Sequence, residues 1–217
     1  MFLVGPSRGL VVFDYLTFEF DLKMRFGDQQ EDDLDFSQGT IEYNSIFSEP
    51  PFISDKLSSP LSTVELNYAP VRRALEATVE IQIVQDSSRF PASTQSEDVE
   101  NHLFGKLYGK ISASYTSSTK EIVLFDSAVS GTMFTVGDDG VLELWRRVLS
   151  VCVEDSLVVT VDTWSDDDGG LSRVSPKLSF VFTPVLCGEG RAIVPCDGFK
   201  MQIKVVWSAL YIPELDG

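Results

Sequence analysis

The chain has 217 residues, 43% of them hydrophobic and 11% aromatic, which is enough to fill one large core or two small ones and too much for a disordered chain. Against 33 Asp and Glu stand 17 Lys and Arg. The resulting charge of -16 repels phosphate backbones and anionic membranes, so direct nucleic-acid binding is not expected. No apolar run approaches the roughly 18 residues of a transmembrane helix. The opening Met1-Phe2-Leu3-Val4 breaks at Gly5-Pro6 with no basic residue before it, unlike a secretory leader. A soluble, cytoplasmic protein is expected.

The dominant signal is alternation with period two. Leu10-Val11-Val12-Phe13 predicts a short first strand. Phe18, Phe20, Leu22, Met24 and Phe26 then share one face, with Glu19, Asp21, Lys23 and Arg25 on the other, a pattern that would scatter around a helix. Residues 28–38 are acidic and polar, 40–47 suggest an edge strand, and 49–60 are rich in Ser and Pro, making 28–60 the least regular region. Strands follow at 61–68, 77–83, 105–115, 121–125, 147–153, 156–164, 177–182 and 199–207, where Val, Ile, Phe, Tyr and Thr crowd together.

Turn formers separate these runs: Gly27-Asp28, Asp86-Ser87-Ser88, Gly137-Asp138-Asp139-Gly140, residues 166–170, and Cys187 to Gly190. A turn or two of helix is expected within 93–102, where Ser96 suits a cap and Glu97, Asp98 and Glu100 suit a helix start. No linker divides the chain. The expectation is one all-β domain over 1–217, an antiparallel β-sandwich or open barrel of about nine strands with little helix.

The chemistry-bearing residues are sparse. His102 is the sole histidine, so a multi-histidine metal site is excluded, and no Gly-x-Ser-x-Gly elbow accompanies it. Calcium is the sharper metal hypothesis. Asp166-Asp167-Asp168-Gly169-Gly170 occupies a predicted loop, with Asp138-Asp139 and Glu31-Asp32-Asp33 elsewhere, but EF-hand spacing is absent. No phosphate loop occurs. The pairs Arg72-Arg73 and Arg146-Arg147 either form one basic patch or neutralise neighbouring acids. Trp145, Trp164 and Trp207 read as packing residues, Trp207 closing the row Phe199, Met201, Ile203, Val205. Cys152, Cys187 and Cys196 are too few for a disulfide framework, although Cys187 and Cys196 flank a predicted turn that one bridge could close. Free thiols in a reducing compartment are the expectation.

The order of segments carries a resemblance. Gly5-Pro6-Ser7-Arg8-Gly9-Leu10-Val11-Val12-Phe13-Asp14 leads into Phe18-Glu19-Phe20-Asp21-Leu22-Lys23, then Leu61-Ser62-Thr63-Val64-Glu65-Leu66 and Arg73-Ala74-Leu75-Glu76-Ala77-Thr78-Val79. Ile122-Val123-Leu124-Phe125-Asp126-Ser127, Arg146-Arg147-Val148-Leu149-Ser150-Val151 and Met201-Gln202-Ile203-Lys204-Val205-Val206-Trp207-Ser208 complete it. Over nearly its whole length the chain resembles a plant family of domains of unknown function, numbered 6598 and expanded in grasses. The resemblance implies an association with ribosome-inactivating rRNA N-glycosidase domains in some relatives. That class uses a helical Glu-Ala-x-Arg motif; here the nearest match is Glu76-Ala77-Thr78-Val79, with Val at the Arg position and a strand-like pattern. A solvent-facing Glu76 is expected.

Three functions remain in view: a non-catalytic interaction or accessory module of a plant stress or defence protein, an N-glycosidase-associated protein, and a calcium-dependent membrane-binding sandwich. The first is favoured, with no catalytic, cofactor or metal residue assigned. Its expected partner is a protein with a basic face, and the acidic chain itself is expected to be a monomer.

Overall fold

The computed structural model describes residues 9–12, 14–24, 34–46, 52–85, 107–137, 139–167, 170–173, 176–196 and 199–209. They fall into two compact units, a smaller one over Leu10–Arg72 and a larger one from Arg73 onward that also includes Gly9.

The smaller unit consists of two antiparallel hairpins. Strand β1 (Tyr15–Met24) pairs with β2 (Leu34–Asn44), and β3 (Ile53–Ser58) pairs with β4 (Thr63–Tyr68). The predicted alternation holds in β1: Leu16, Phe18, Phe20 and Leu22 are half-buried while Thr17, Glu19, Asp21 and Lys23 are exposed. Beyond a register irregularity at Leu22/Lys23, Met24 is exposed, and Phe26 of the predicted row lies outside the described residues. The two hairpins meet at Tyr68, whose ring lies 5.0 Å from Phe18 and 5.5 Å from Tyr43. Burial and the Asp55 carboxylate, which accepts the Tyr68 hydroxyl at 2.8 Å, push the phenol up to about 12. At Gly39 the hairpins come so close that a Cβ would sit 2.9 Å from Leu57. Two predictions change here. Leu10–Val12 forms no strand, because a short apolar run without a pairing partner cannot hold extended structure, and Leu10 is 66% exposed. Conversely the edge strand expected at 40–47 is present as β2 but begins earlier, at Leu34, and β3 is an added strand inside 28–60, where the alternation is weak.

The larger unit is a sandwich of two antiparallel sheets. Its elements are β5 (Ala74–Gln85), β6 (Leu107–Tyr115), β7 (Ser118–Asp126), α1 (Ser127–Ser130), β8 (Val148–Cys152), β9 (Leu157–Asp167), β10 (Gly170–Arg173), β11 (Leu178–Phe182), β12 (Cys187–Pro195) and β13 (Phe199–Ala209). One sheet has the order β7-β6-β9, with β10 and β11 pairing successive stretches of β9 along its far edge. The other has the order β12-β13-β5-β8. The core lies between them. Leu75, Ala77, Val79, Ile81 and Ile83 of β5 and Met201, Ile203, Val205 and Trp207 of β13 face Ile111, Val159 and Val161 of the first sheet. Trp207 is 2% exposed, closing the row that the sequence assigns it to.

Among the described residues the fold is all-β with almost no helix. Of the two expected architectures it is the sandwich, because the core is enclosed between two separate sheets, none of which closes on itself among the described residues. Thirteen strands are present among the described residues, more than the alternation predicts. The main addition is β12, whose start at Cys187-Gly188-Glu189-Gly190 reads as a turn in sequence but pairs with β13 from Cys187↔Ser208 to Pro195↔Lys200. Cross-strand pairing overrides local turn preference at these residues. The predicted helix at 93–102 and His102 within it lie outside the described residues.

Candidate functional site

The two flanks of the sandwich are finished differently. On one flank the segment 133–147, between α1 and β8, is bonded to both sheets. Phe134 N–H donates to the Leu107 carbonyl and Trp145 N–H to the Leu124 carbonyl, each at 2.9 Å. On the other sheet, Leu142 N–H donates to Ile81, while the carbonyls of Gly140 and Arg147 accept from Ile83 and Val79, all at 2.8 Å. Phe134 and Leu142 are buried, and Phe125 stacks on Phe134 at 4.4 Å and tilts against Trp145 at 5.0 Å. The turn that lets the segment fold back is the predicted one at Gly137 to Gly140, where Gly140 has φ 78 and donates to the Gly137 carbonyl.

No such segment covers the opposite flank among the described residues. There β11 pairs with β9 and β12 with β13, and their outer edges face each other across the connection 183–186. Between them lies a groove of about 410 Å³, walled by Phe180, Val181, Val185, Glu189 and Arg191 with Trp207 at its base. Val181 is 61% exposed and Leu186 66%, with Val185 and Ile193 also exposed. A Cβ at Gly190 would sit 2.9 Å from the Phe182 ring, so this glycine lets β12 approach β11.

The backbone of β12 has a defined polarity. The N–H of Cys196 donates to the Phe199 carbonyl at 3.1 Å, in register with the β12–β13 ladder. In an antiparallel ladder alternate residues bond to one neighbour, so the even-numbered residues of β12 turn their N–H and C=O groups toward β13. Glu189, Arg191 and Ile193 therefore turn theirs outward. Pro195 fits the same parity, because a proline belongs where no N–H is needed inward. On the solvent face the Arg191 guanidinium bonds Glu189 Oε1 at 2.7 Å, with both side chains about half exposed.

The residues singled out in sequence do not converge on this flank. Glu76 lies on β5, as the strand reading requires, yet it is not solvent-facing: it is 6% exposed. Its Oε2 accepts the Gly9 N–H at 2.5 Å and its Oε1 the Ser208 hydroxyl at 3.3 Å. The outer face of the sheet is covered at this point by Gly9, which periodicity could not reveal. Val79, at the position where an N-glycosidase motif has Arg, is fully buried in the core.

Asp139 is engaged in its own turn, its Oδ1 accepting Val141 N–H at 3.0 Å. Asp166 and Asp167 lie in β9, whereas Asp138, Asp168 and residues 31–33 fall outside the described set. Among the described residues no group of three or more His, Cys, Asp or Glu is placed to hold a metal. The arginine pairs flank opposite ends of β8 and form no single patch; Arg73 bonds Glu154 across the turn. Cys187 and Cys196 mark the two ends of extended strand β12, about 30 Å apart and far beyond disulfide reach. Cys187 is exposed, whereas burial pushes the Cys196 thiol up to about 12.

The model for the domain of unknown function DUF6598 matches residues 1–205. The chain belongs to this family. Neither a curated protein nor a solved structure matches it. No helix among the described residues of this family member is long and apolar enough to cross a membrane. The open β12 edge escaped sequence reasoning because its turn-like composition concealed the strand. The exposed apolar pair Val185-Leu186 just before it was the signal available.

Proposed function

We propose that this DUF6598 domain is a non-catalytic interaction module of a plant stress or defence protein, acting in the cytoplasm, that takes an extended segment of a partner protein along β12. One observation carries the reading: a nine-residue edge strand turns the backbone groups of Glu189, Arg191 and Ile193 outward beside an apolar groove. Such an edge supplies main-chain hydrogen bonds, and the groove supplies pockets for alternate side chains. The -16 charge favours a partner with basic residues flanking the inserted segment. Further support comes from Glu76, whose carboxylate is taken up by Gly9 and Ser208 rather than aimed at a cleft.

The test is selection of displayed random heptapeptides on the immobilised protein, at a density too sparse for copies to meet. Enriched peptides should alternate apolar residues and carry Lys or Arg at their ends. Their binding should weaken as salt rises. The variant Arg191→Pro removes an outward N–H and leaves the β13 ladder intact, so it should lose them. Absence of enrichment, or equal binding to Arg191→Pro, overturns the reading.

A further inference from the structure

We infer that the β12 edge is self-complementary and that a second copy of this chain pairs with it, antiparallel, about a two-fold axis at Gly190. The inference rests on reading β12 as a binding edge and names an occupant for it.

The register follows from parity. A strand added to β12 must oppose outward-turned residues to outward-turned residues, which here are the odd-numbered ones. Two-fold symmetry makes paired residue numbers sum to a constant. Centring the axis on Gly190 opposes Glu189 of each copy to Arg191 of the other and Cys187 to Ile193, odd with odd throughout. Gly190 then opposes its own copy at the axis, in the closely spaced class of pair, where the absence of side chains removes any clash.

Charge supports this register over its neighbours. Arg191 sits in line with Lys204 of β13, so a positive pair lies on the solvent face of the sheet. Lys204 is shared with Glu80 at 3.4 Å and Arg191 with Glu189 of its own strand. An incoming Glu189 opposite Arg191 forms a cross-strand ion pair, twice by symmetry. Moving the register by two residues would break both cross-strand ion pairs. The axis also brings the exposed Val185-Leu186 end of one strand beside the exposed Ile193 end of the other, covering apolar surface that the monomer leaves in water. The product is a continuous eight-stranded antiparallel sheet, made from two copies of the four-stranded one. The overall -16 charge opposes association at long range, so moderate salt should strengthen the dimer by screening that repulsion more than the contacting pairs.

Sedimentation velocity of the full chain between about 1 and about 100 µM tests this, these being concentrations at which a modest interface is half-formed. The wild type should pass from monomer to dimer across that range. Glu189→Arg and Arg191→Glu each place like charges opposite one another and should weaken association about tenfold or more. The double variant E189R/R191E restores opposite charges in the same register and should recover it. Circular dichroism checks that each exposed substitution leaves the fold intact. A wild type that stays monomeric, single variants that associate like the wild type, or a double variant as weak as the singles would each overturn the inference. Peptide enrichment by a monomeric wild type would sink the dimer alone. Charge-swap rescue without peptide enrichment would sink the peptide reading alone.

Discussion

The two flanks of one sandwich show what completing a β-sheet edge requires. Both begin with the same problem, a row of backbone donors and acceptors beside an apolar interior. At the β7–β8 side the chain solves it internally. Segment 133–147 answers carbonyls and amides of both sheets and plugs the gap with Phe134, Leu142 and Trp145. At the β11–β12 side only the connection 183–186 passes among the described residues, and Val181, Val185, Leu186 and Ile193 are exposed. The first flank is therefore closed by the chain's own backbone and side chains, whereas the described residues leave the second without such a plug.

Several measurements would break or sharpen that contrast. The largest expected effect is at the plug: Phe134→Ala should cost about 3–5 kcal/mol in urea unfolding, for the lost ring and the cavity left against Phe125. Val181→Ser on the open flank should stay within about 0.5 kcal/mol of wild type. Equal costs would dissolve the distinction.

Next in size is Gly109→Ala on β6. The new Cβ would lie 2.5 Å from the Asp162 carbonyl and 2.9 Å from the Phe134 ring, and the resulting overpacking should cost about 2–3 kcal/mol. A near-neutral result would mean that the plugged flank is looser than its contacts indicate.

Thiol chemistry reads the flanks without mutating them. An exposed Cys187 should react with an aromatic disulfide reagent within the mixing phase at pH 8, while Cys196, held near 12 by burial, should wait for unfolding. Comparable rates would place Cys196 in solvent. Hydrogen exchange extends the comparison to the backbone. In the monomer the Glu189, Arg191 and Ile193 amides should exchange rapidly and the Leu142 and Trp145 amides slowly. Rising protection of the first three with protein concentration would report the dimer directly.

The smallest effect is expected at the end of the sandwich, where Asp155 links the β8–β9 turn to the β6–β7 turn. Burial opposes its ionisation, but hydrogen bonds from the Ser117 and Thr116 hydroxyls and the Ser156 and Ser117 backbone outweigh it and hold its carboxyl below 3.8. A carboxylate whose pKa is lowered by folding stabilises the native state above its unfolded value. That contribution is lost as pH falls through the folded value. The Asp155→Asn variant should therefore be less stable than wild type by about 1 kcal/mol at pH 7, with the gap closing at acidic pH. A pH-independent gap would mean that the charge contributes nothing.

How much of this was legible in sequence differs from strand to strand. The rows in β5 and β13 could be read directly, because one face of each is buried and the period-two pattern is the burial pattern, while β1 follows the same alternation, half-buried, as far as Leu22. The strand β12 could not, because Cys187-Gly188-Glu189-Gly190 has turn composition and becomes a strand through its pairing with β13. Glu76 misled for a related reason. Its parity on β5 is correctly outward, but Gly9 and Ser208 come from distant parts of the chain to cover it.

The sequence by itself determined the all-β class, the inward faces of the long strands, the turn at Gly137 to Gly140 and the placement of Trp207 in the core. All of these follow from local sterics and the two-residue repeat of the strand. Tertiary structure alone decided which strands became edges, that one flank was plugged and the other, among the described residues, was not, and that Cys187 and Cys196 stand at opposite ends of one strand rather than across a turn. Edges depend on which distant segment arrives to pair, and periodicity records the face a residue occupies without recording its neighbour.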